Sequence, residues 1–157
     1  MSNPDPFVEE DSRVLTPETF AFVLSNELKR AVRSQNFLTL VLVAPTLRGV
    51  PGNGHGECDG ALREVARLVS REVRETDLLS HTDQGRLSVV LLDSDMENSM
   101  QVIERLMSRL ENYQFERPLS FEICASCCPT HGADAESLKL AAEGHPMRKR
   151  GPEASAR

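Results

Sequence analysis

The sequence predicts an α+β domain with a βαββαβ core, in which a central mixed sheet has surrounding helices and an N-terminal helix comes first. Apolar residues recur at helical spacing in four segments, which are 15–35, 60–75, 95–113 and 134–143. Four short apolar or alternating segments are typical of strands, namely 37–44, 76–82, 86–94 and 119–128. Read in chain order after the first helix, these segments alternate as a split βαβ arrangement.

The first helix has the clearest start signal in the chain. Thr16 is suited to cap it, and Pro17 suits the first helical position, where no backbone N–H is needed. We predict one domain over residues 13–144. Residues 1–12 show no periodicity and are expected to be a flexible lead, and residues 145–157 are expected to be a flexible basic tail.

Composition excludes several classes of function. The 157 residues carry a net charge of −6, which argues against non-specific binding to nucleic acid or to acidic membranes. No apolar run reaches the roughly 18 residues that a membrane-spanning helix needs, and the N-terminus has no signal-peptide core. We therefore expect a cytoplasmic protein with no nucleic-acid or membrane partner, whose four cysteines are reduced.

The order of these segments, together with several residues within them, resembles the GGDEF domain of bacterial diguanylate cyclases. The resemblance covers about residues 11–151. The resemblance rests on an aspartate and Leu-Thr before the first helix, and on Gly-His, Asp and Leu around the second. The matching residues are Asp11, Leu15, Thr16, Gly54, His55, Asp59 and Leu62. The hairpin and the last helix follow at family-like spacing. The resemblance implies the nucleotide-cyclase-like fold and a role in cyclic di-GMP signalling.

The hairpin turn departs from the family's signature. In the family, two glycines admit the phosphates of GTP and two acids serve metal binding and activation of the attacking hydroxyl. The corresponding residues in this chain are Asp83, Gln84, Gly85, Arg86 and Leu87. An arginine thus stands where the resemblance places a metal ligand, and strand 37–44 has no acid where the family has one. We predict no enzyme activity, no catalytic residues, no metal site and no cofactor.

The family's guanine-binding position is retained as Asp59, although Asp59 also suits the start of a helix, which is its more ordinary use. The family's Asn-Asp pair in the same loop aligns with Val50-Pro51. The substrate contacts that the resemblance would supply are therefore largely missing.

A second family motif is present. Many GGDEF domains have an Arg-x-x-Asp site for the product, separated by five residues from the signature, and Arg74 and Asp77 match it in type and spacing. A further family arginine corresponds to Arg105. An arginine fork suits guanine or phosphate, and a carboxylate accepts hydrogen bonds from the guanine N–H groups. The resemblance implies that these three residues bind cyclic di-GMP, as a stacked pair that joins two protomers.

The same residues have structural explanations that remain open. Arg74 follows a helix end, where a cation is favourable, and it can simply pair with Asp77. Arg105 can be a solvated helix residue. The leading hypothesis is thus a catalytically inactive cyclic di-GMP receptor that acts through a protein partner or as a homodimer. The alternative is an interaction scaffold that binds no nucleotide.

The cysteines offer a different hypothesis, a metal site. Cys124, Cys127 and Cys128 lie near His131, and a second arm would come from His55 and Cys58. Because side chains alternate along a strand, Cys124 and Cys127 point to opposite faces. We therefore expect buried thiols rather than a metal site.

Overall fold

The computed structural model describes residues 13–47, 59–82, 85–144 and 146–150. Its elements in chain order are α1 (Pro17–Ser34), β1 (Leu38–Leu47), α2 (Asp59–Glu72), β2 (Leu78–Thr82), β3 (Arg86–Leu92), α3 (Met96–Asn112), β4 (Leu119–Cys128), α4 (Ala135–Glu143) and β5 (Pro146–Arg150). The predicted α+β fold and βαββαβ core are confirmed. The expected lead, residues 1–12, lies outside the described residues.

Helix boundaries follow their capping residues. Thr16 accepts a hydrogen bond from the Thr19 N–H at 3.3 Å and Pro17 opens α1, which confirms the predicted start. Asp95 and Asp134 cap α3 and α4 in the same way, each accepting a 2.9 Å hydrogen bond from the N–H three residues later. Local residue chemistry therefore determines where these three helices begin.

The sheet has the order β2-β3-β1-β4-β5, and all four pairings between the described strands are antiparallel. The prediction of a mixed sheet is wrong in this respect. The chain does make parallel strands, but each crossover helix places them on either side of a third strand, so that β3 separates β1 from β2 and β1 separates β3 from β4. Parallel strands are therefore never neighbours.

Helices cover both faces of the sheet. One buried cluster joins α2 and α3 to the face that includes Val41, Val89 and Ile123. The other joins α1 and α4 to the face that includes Leu40 and Val90. The central strands β1 and β3 are buried on both faces, which explains their continuous apolar runs.

The start of the segment expected to be a flexible tail is a strand. Residues 146–150 form β5, which pairs with β4 from Phe121 opposite Arg150 to Cys124 opposite Pro146. The physical reason is that β4 would otherwise end the sheet with unpaired backbone N–H and C=O groups. Residues 145 and 151–157 lie outside the described residues.

Candidate functional site

Residues 74–77, which we predict to be the Arg-x-x-Asp motif, lie in the turn between α2 and β2. Asp77 is 5% exposed. Its carboxylate accepts hydrogen bonds from the N–H of Arg74 at 2.9 Å and from the N–H of Leu92 at 3.0 Å, while its own N–H donates to the Arg74 carbonyl at 3.0 Å. One buried carboxylate therefore joins the end of α2, the start of β2 and the end of β3.

Arg74 projects from the same turn with its side chain 58% exposed. Its guanidinium lies 3.4 Å from the Asp77 carboxylate and also donates to the Leu92 carbonyl. Asp77 thus supports Arg74 through the backbone and through the side chain. More than half of the Arg74 side chain is therefore exposed to solvent at the edge of the turn.

Arg105 approaches from α3 and meets Glu72, the last residue of α2. Its Nη2 donates to the Glu72 carbonyl at 2.9 Å, and its Nε lies 3.5 Å from the Glu72 carboxylate. Arg109, one turn further along α3, donates from Nε to the same carboxylate at 3.1 Å. Glu72 therefore bridges two arginines, of which only Arg105 belongs to the predicted site.

Arg74, Asp77 and Arg105 line one cavity of about 270 Å³. Its other lining residues are Glu72, Val73, Leu91, Asp93, Ser94, Asn98 and Val102. The structure thus brings together the three residues that the sequence placed 3 and 28 positions apart. Two arginines and three acidic residues (Glu72, Asp77 and Asp93) line the cavity, so its formal charge is −1 before any ligand is considered.

The hairpin turn that we predict to be degenerate lies at the opposite end of β3. Asp83 and Gln84 lie outside the described residues, and Gly85 has a φ of 66°, a conformation that glycine adopts readily. Arg86 is the first residue of β3, and its side chain is only 13% exposed because it donates to Glu143 of α4 at 2.8 Å. Leu87 is fully buried opposite Val43. Arg86 is therefore committed to an ion pair with α4.

The neighbouring strand ends offer little to a cation. Pairing of β1 with the hairpin ends at Val43, and the β1 residues beyond it are Ala44, Pro45, Thr46 and Leu47, none of which is acidic. Within the described part of the chain, no three His, Cys, Asp or Glu side chains are grouped as a metal ion would require. The loop with Val50, Pro51, Gly54 and His55 and the side chain of Asp59 lie outside the described residues.

The three cysteines of β4 are free and buried, which confirms the predicted thiols. Burial raises the pKa of Cys124, Cys127 and Cys128. His131 makes two hydrogen bonds with the backbone of Cys127. Its ring Nδ1 accepts from the Cys127 N–H at 2.9 Å, and its backbone N–H donates to the Cys127 carbonyl at 2.7 Å. Cys58 lies outside the described residues.

A second cavity, of about 440 Å³, lies between the start of α2 and the segment that joins α3 to β4. On its wall, Tyr113 donates a hydrogen bond to Glu64, and Arg67 lies 2.5 Å from the same carboxylate. These hydrogen bonds, from Arg67 first and then Tyr113, lower the pKa of Glu64, and the bond to Glu64 raises the pKa of Tyr113. Of the lining side chains, Glu64 and Tyr113 are thus hydrogen-bonded to each other, and Arg67, which is not a lining residue, pairs with Glu64.

Sequence reasoning missed Arg13, which contacts the back of the Arg74–Asp77 turn. Its guanidinium donates to the carbonyls of Ser70 at 3.1 Å, Arg74 at 2.7 Å, Glu75 at 3.2 Å and Asp77 at 2.6 Å. Burial lowers the pKa of Arg13, and the charges of Asp77 and Glu75 oppose that effect. No local pattern signals this contact, because the partners lie 57 to 64 residues away.

The antiparallel sheet with its hairpin, covered by helices on both faces, defines a nucleotide-cyclase-like α+β domain. A family model described as "Diguanylate cyclase, GGDEF domain" matches residues 18–148. The chain belongs to the GGDEF domain family.

One curated protein is similar to this chain over part of its length. A Bacillus subtilis protein described as "Uncharacterized membrane protein YdaK" is 31% identical over 107 residues, which are 64% of this chain and 38% of that protein. The chain therefore spans well under half of that relative's length. Among the described residues, no helix has both the length and the apolar character needed to cross a bilayer.

Solved structures share the fold at low identity. The FimX GGDEF domain of Pseudomonas aeruginosa superposes with a TM-score of 0.74 at 17% identity, covering 90% of this chain and 91% of that one. A Thermotoga maritima DGC protein gives 0.72 at 18% identity, covering 86% and 97%. The GGDEF domain of DgcB from Caulobacter crescentus, solved in complex with c-di-GMP, gives 0.72 at 11% identity, covering 92% and 90%.

Proposed function

We propose that this GGDEF domain is a cyclic di-GMP receptor without cyclase activity, in which Arg74, Asp77 and Arg105 form the ligand site. The observation that carries the proposal is that these three residues, from a turn and a neighbouring helix, line the same cavity. A receptor of this kind acts by changing its contacts with a protein partner or with a second copy of itself.

The chemistry divides the roles of the three residues. Arg74 and Arg105 are each more than half exposed, so their guanidinium groups are available to a phosphate or to the O6 and N7 atoms of guanine. Asp77 is nearly buried and already accepts two backbone hydrogen bonds. Its main task is therefore to hold the turn and Arg74, and any contact of its carboxylate with guanine is secondary.

Relatives support a ligand of this class. The DgcB GGDEF domain, whose fold matches over nearly the whole chain, was crystallised in complex with c-di-GMP. The ligand has two phosphates and two guanines, which suits a site with two cationic forks. If it binds as a stacked pair, calorimetry will give a stoichiometry near two ligands per chain.

Isothermal titration of the purified chain with cyclic di-GMP, with GTP as the control ligand, tests the proposal. We expect micromolar or tighter binding of cyclic di-GMP and at least about tenfold weaker binding to Arg74→Ala and Arg105→Ala, since hydrogen bonds to charged groups contribute about 1.5–3 kcal/mol. Arg109→Ala is the matched control, because Arg109 shares Glu72 and is similarly exposed but does not line the cavity.

The absence of cyclase activity is the second part of the proposal. Arg86 occupies the position of a family acid and is paired with Glu143, so it brings positive charge where a metal would need ligands. Incubation with GTP and Mg²⁺ or Mn²⁺ followed by chromatography should yield no cyclic di-GMP. Accumulation of that product, lost in an Asp83→Ala variant, would contradict this part alone.

One observation favours a different function, a scaffold that binds no nucleotide. Both arginines of the cavity already have internal partners, and acids outnumber bases in its lining. A scaffold would give no heat with cyclic di-GMP at high concentration, and Arg74→Ala would change nothing but stability. Light scattering during the titration separates the two hypotheses further, since only the receptor changes its mass with ligand.

A further inference from the structure

The turn that carries Arg74 and Asp77 is held from two sides. On the cavity side lie the side chains of the proposed ligand site. On the other side, the Arg13 guanidinium contacts four carbonyls of the last turn of α2 and of the turn itself. Nη1 serves Ser70, and the two N–H groups of Nη2 are shared among the carbonyls of Arg74, Glu75 and Asp77. Arg13 does not line the cavity. Its hydrogen bonds to the site are therefore all to backbone carbonyls, and its charge also acts on the Asp77 carboxylate.

The two residues that follow Arg13 are held in place by β2 and by the buried core. Two residues later, the Leu15 N–H donates to the Leu79 carbonyl at 2.8 Å, and the Ser80 hydroxyl donates to the Leu15 carbonyl at 2.9 Å. Val14, between them, is 2% exposed and belongs to the buried cluster under α2 and α3. Residues 13–15 thus form a short strap across the end of α2 and the start of β2.

We propose that Arg13 is a positioning residue for the cyclic di-GMP site, and that it links the strap at residues 13–15 energetically to ligand binding. Two of the carbonyls that Arg13 holds belong to Arg74 and Asp77 themselves. A shift of the strap must release those carbonyls and so disturb the turn that places the Arg74 guanidinium. By reciprocity, a ligand that orders the turn stabilises the strap.

The linkage depends on the shape of the arginine as well as on its charge. A guanidinium carries five N–H donors in a planar fork, whereas a lysine ammonium has three donors on a compact group. Three of the four contacts converge on Nη2 and the contact with Ser70 is made by Nη1, so a single ammonium group cannot stand at both positions. The series from Arg13 through Arg13→Lys to Arg13→Gln removes these contacts in steps.

The inference rests on the proposed ligand site, and its test compares the full chain with Arg13→Lys, Arg13→Gln and Thr16→Ala. Thr16→Ala removes the α1 cap next to the strap without touching the turn, so it reports simple loss of stability. Titration with cyclic di-GMP should show about tenfold weaker binding to Arg13→Gln, a smaller loss for Arg13→Lys and little change for Thr16→Ala. Hydrogen exchange at the Leu15 amide should slow when cyclic di-GMP is added to the unmodified chain.

The outcomes separate this inference from the receptor proposal. If the unmodified chain binds cyclic di-GMP and the Arg13 variants bind as tightly, or no more weakly than Thr16→Ala does, the linkage is wrong and the receptor stands. Unchanged exchange at Leu15 on binding would likewise refute the linkage. If the unmodified chain gives no heat, the receptor proposal falls and the linkage to a ligand falls with it.

Discussion

Arg86 and Glu143 form an ion pair, with 2.8 Å between Nη2 and Oε2, that joins the first residue of β3 to the last residue of α4. The arginine side chain is 13% exposed and the glutamate side chain 33%. The ion pair thus contributes to the packing of α4 against the sheet.

We expect the pair to contribute about 1 kcal/mol of coupling to the free energy of unfolding, at the upper end for such pairs because it is partly buried. A double-mutant cycle with Arg86→Ala and Glu143→Ala, measured by urea denaturation, gives this coupling directly. Effects of the two substitutions that add within about 0.3 kcal/mol would show that the contact carries no energy. Arg86→Glu should be worse than Arg86→Ala, because it sets two carboxylates against each other.

Asp77 should matter for stability whether or not a ligand binds. Asp77→Ala leaves the N–H groups of Arg74 and Leu92 without the carboxylate, and we expect a loss of about 2–4 kcal/mol in unfolding free energy, since each unsatisfied group costs about 1–3 kcal/mol. Asp77→Asn keeps one acceptor oxygen, so its free energy of unfolding should lie between those of the unmodified chain and of Asp77→Ala. Thermal or urea denaturation measures the series.

The control for Asp77 is Asp93→Asn, which removes a charge from the same cavity at a side chain that is 52% exposed. Asn tolerates the positive φ of 53° at this position better than Ala would. Its effect on stability should stay within about 0.5 kcal/mol. A loss at Asp77 as small as the loss at Asp93 would mean that the buried carboxylate does not support the turn.

Glu72 is expected to weaken the ligand site. It lines the cavity and pairs with Arg105, so it competes with any anion for that guanidinium. Glu72→Gln should tighten cyclic di-GMP binding by about three- to tenfold and increase its sensitivity to salt. Glu75→Gln, an exposed neighbour that does not line the cavity, is the control, and weaker binding to Glu72→Gln would show that Glu72 positions Arg105 more than it competes for it.

Because the thiols of β4 are buried, we expect the free energy of unfolding to fall as the pH rises above neutrality. Burial raises the pKa of Cys127 in the folded chain, so the unfolded chain loses this proton first as the pH rises. The protonated Cys127 thiol therefore contributes fully to the free energy of unfolding below the ordinary thiol pKa of about 8.5, and its contribution declines as the pH rises above that value. Urea denaturation at pH 7.5, 8.5 and 9.5 should show this decline, and Cys127→Ala should show a shallower one; equal slopes would argue against thiol titration.

Much of the fold was predictable because it depends on local chemistry. Thr16 and Pro17 mark the start of α1. Apolar periodicity identified the helices and the strands against which their apolar side chains pack. The edge strand β5 was not predictable from its own residues, since Pro146 and a basic cluster are poor signals for a strand. It forms because β4 presents an unpaired edge.

The candidate site was predictable as a set of residues but not as an arrangement. Spacing identified Arg74, Asp77 and Arg105, because a family motif has fixed offsets in sequence. It could not indicate that Asp77 would be buried with two backbone partners or that Glu72 would engage Arg105. Those facts depend on how α2, β3 and α3 meet.

The sequence by itself determined the four helices and the first four strands, where three of the helices are capped, and which residue types stand at the turn and at residues 74 and 77. Only the tertiary structure decided that the neighbouring strands are all antiparallel, that Arg86 meets Glu143, and that Arg13 holds the Arg74–Asp77 turn. The reason is physical. Periodicity and capping act within a few residues, whereas each of these contacts joins parts of the chain that are brought together only by packing.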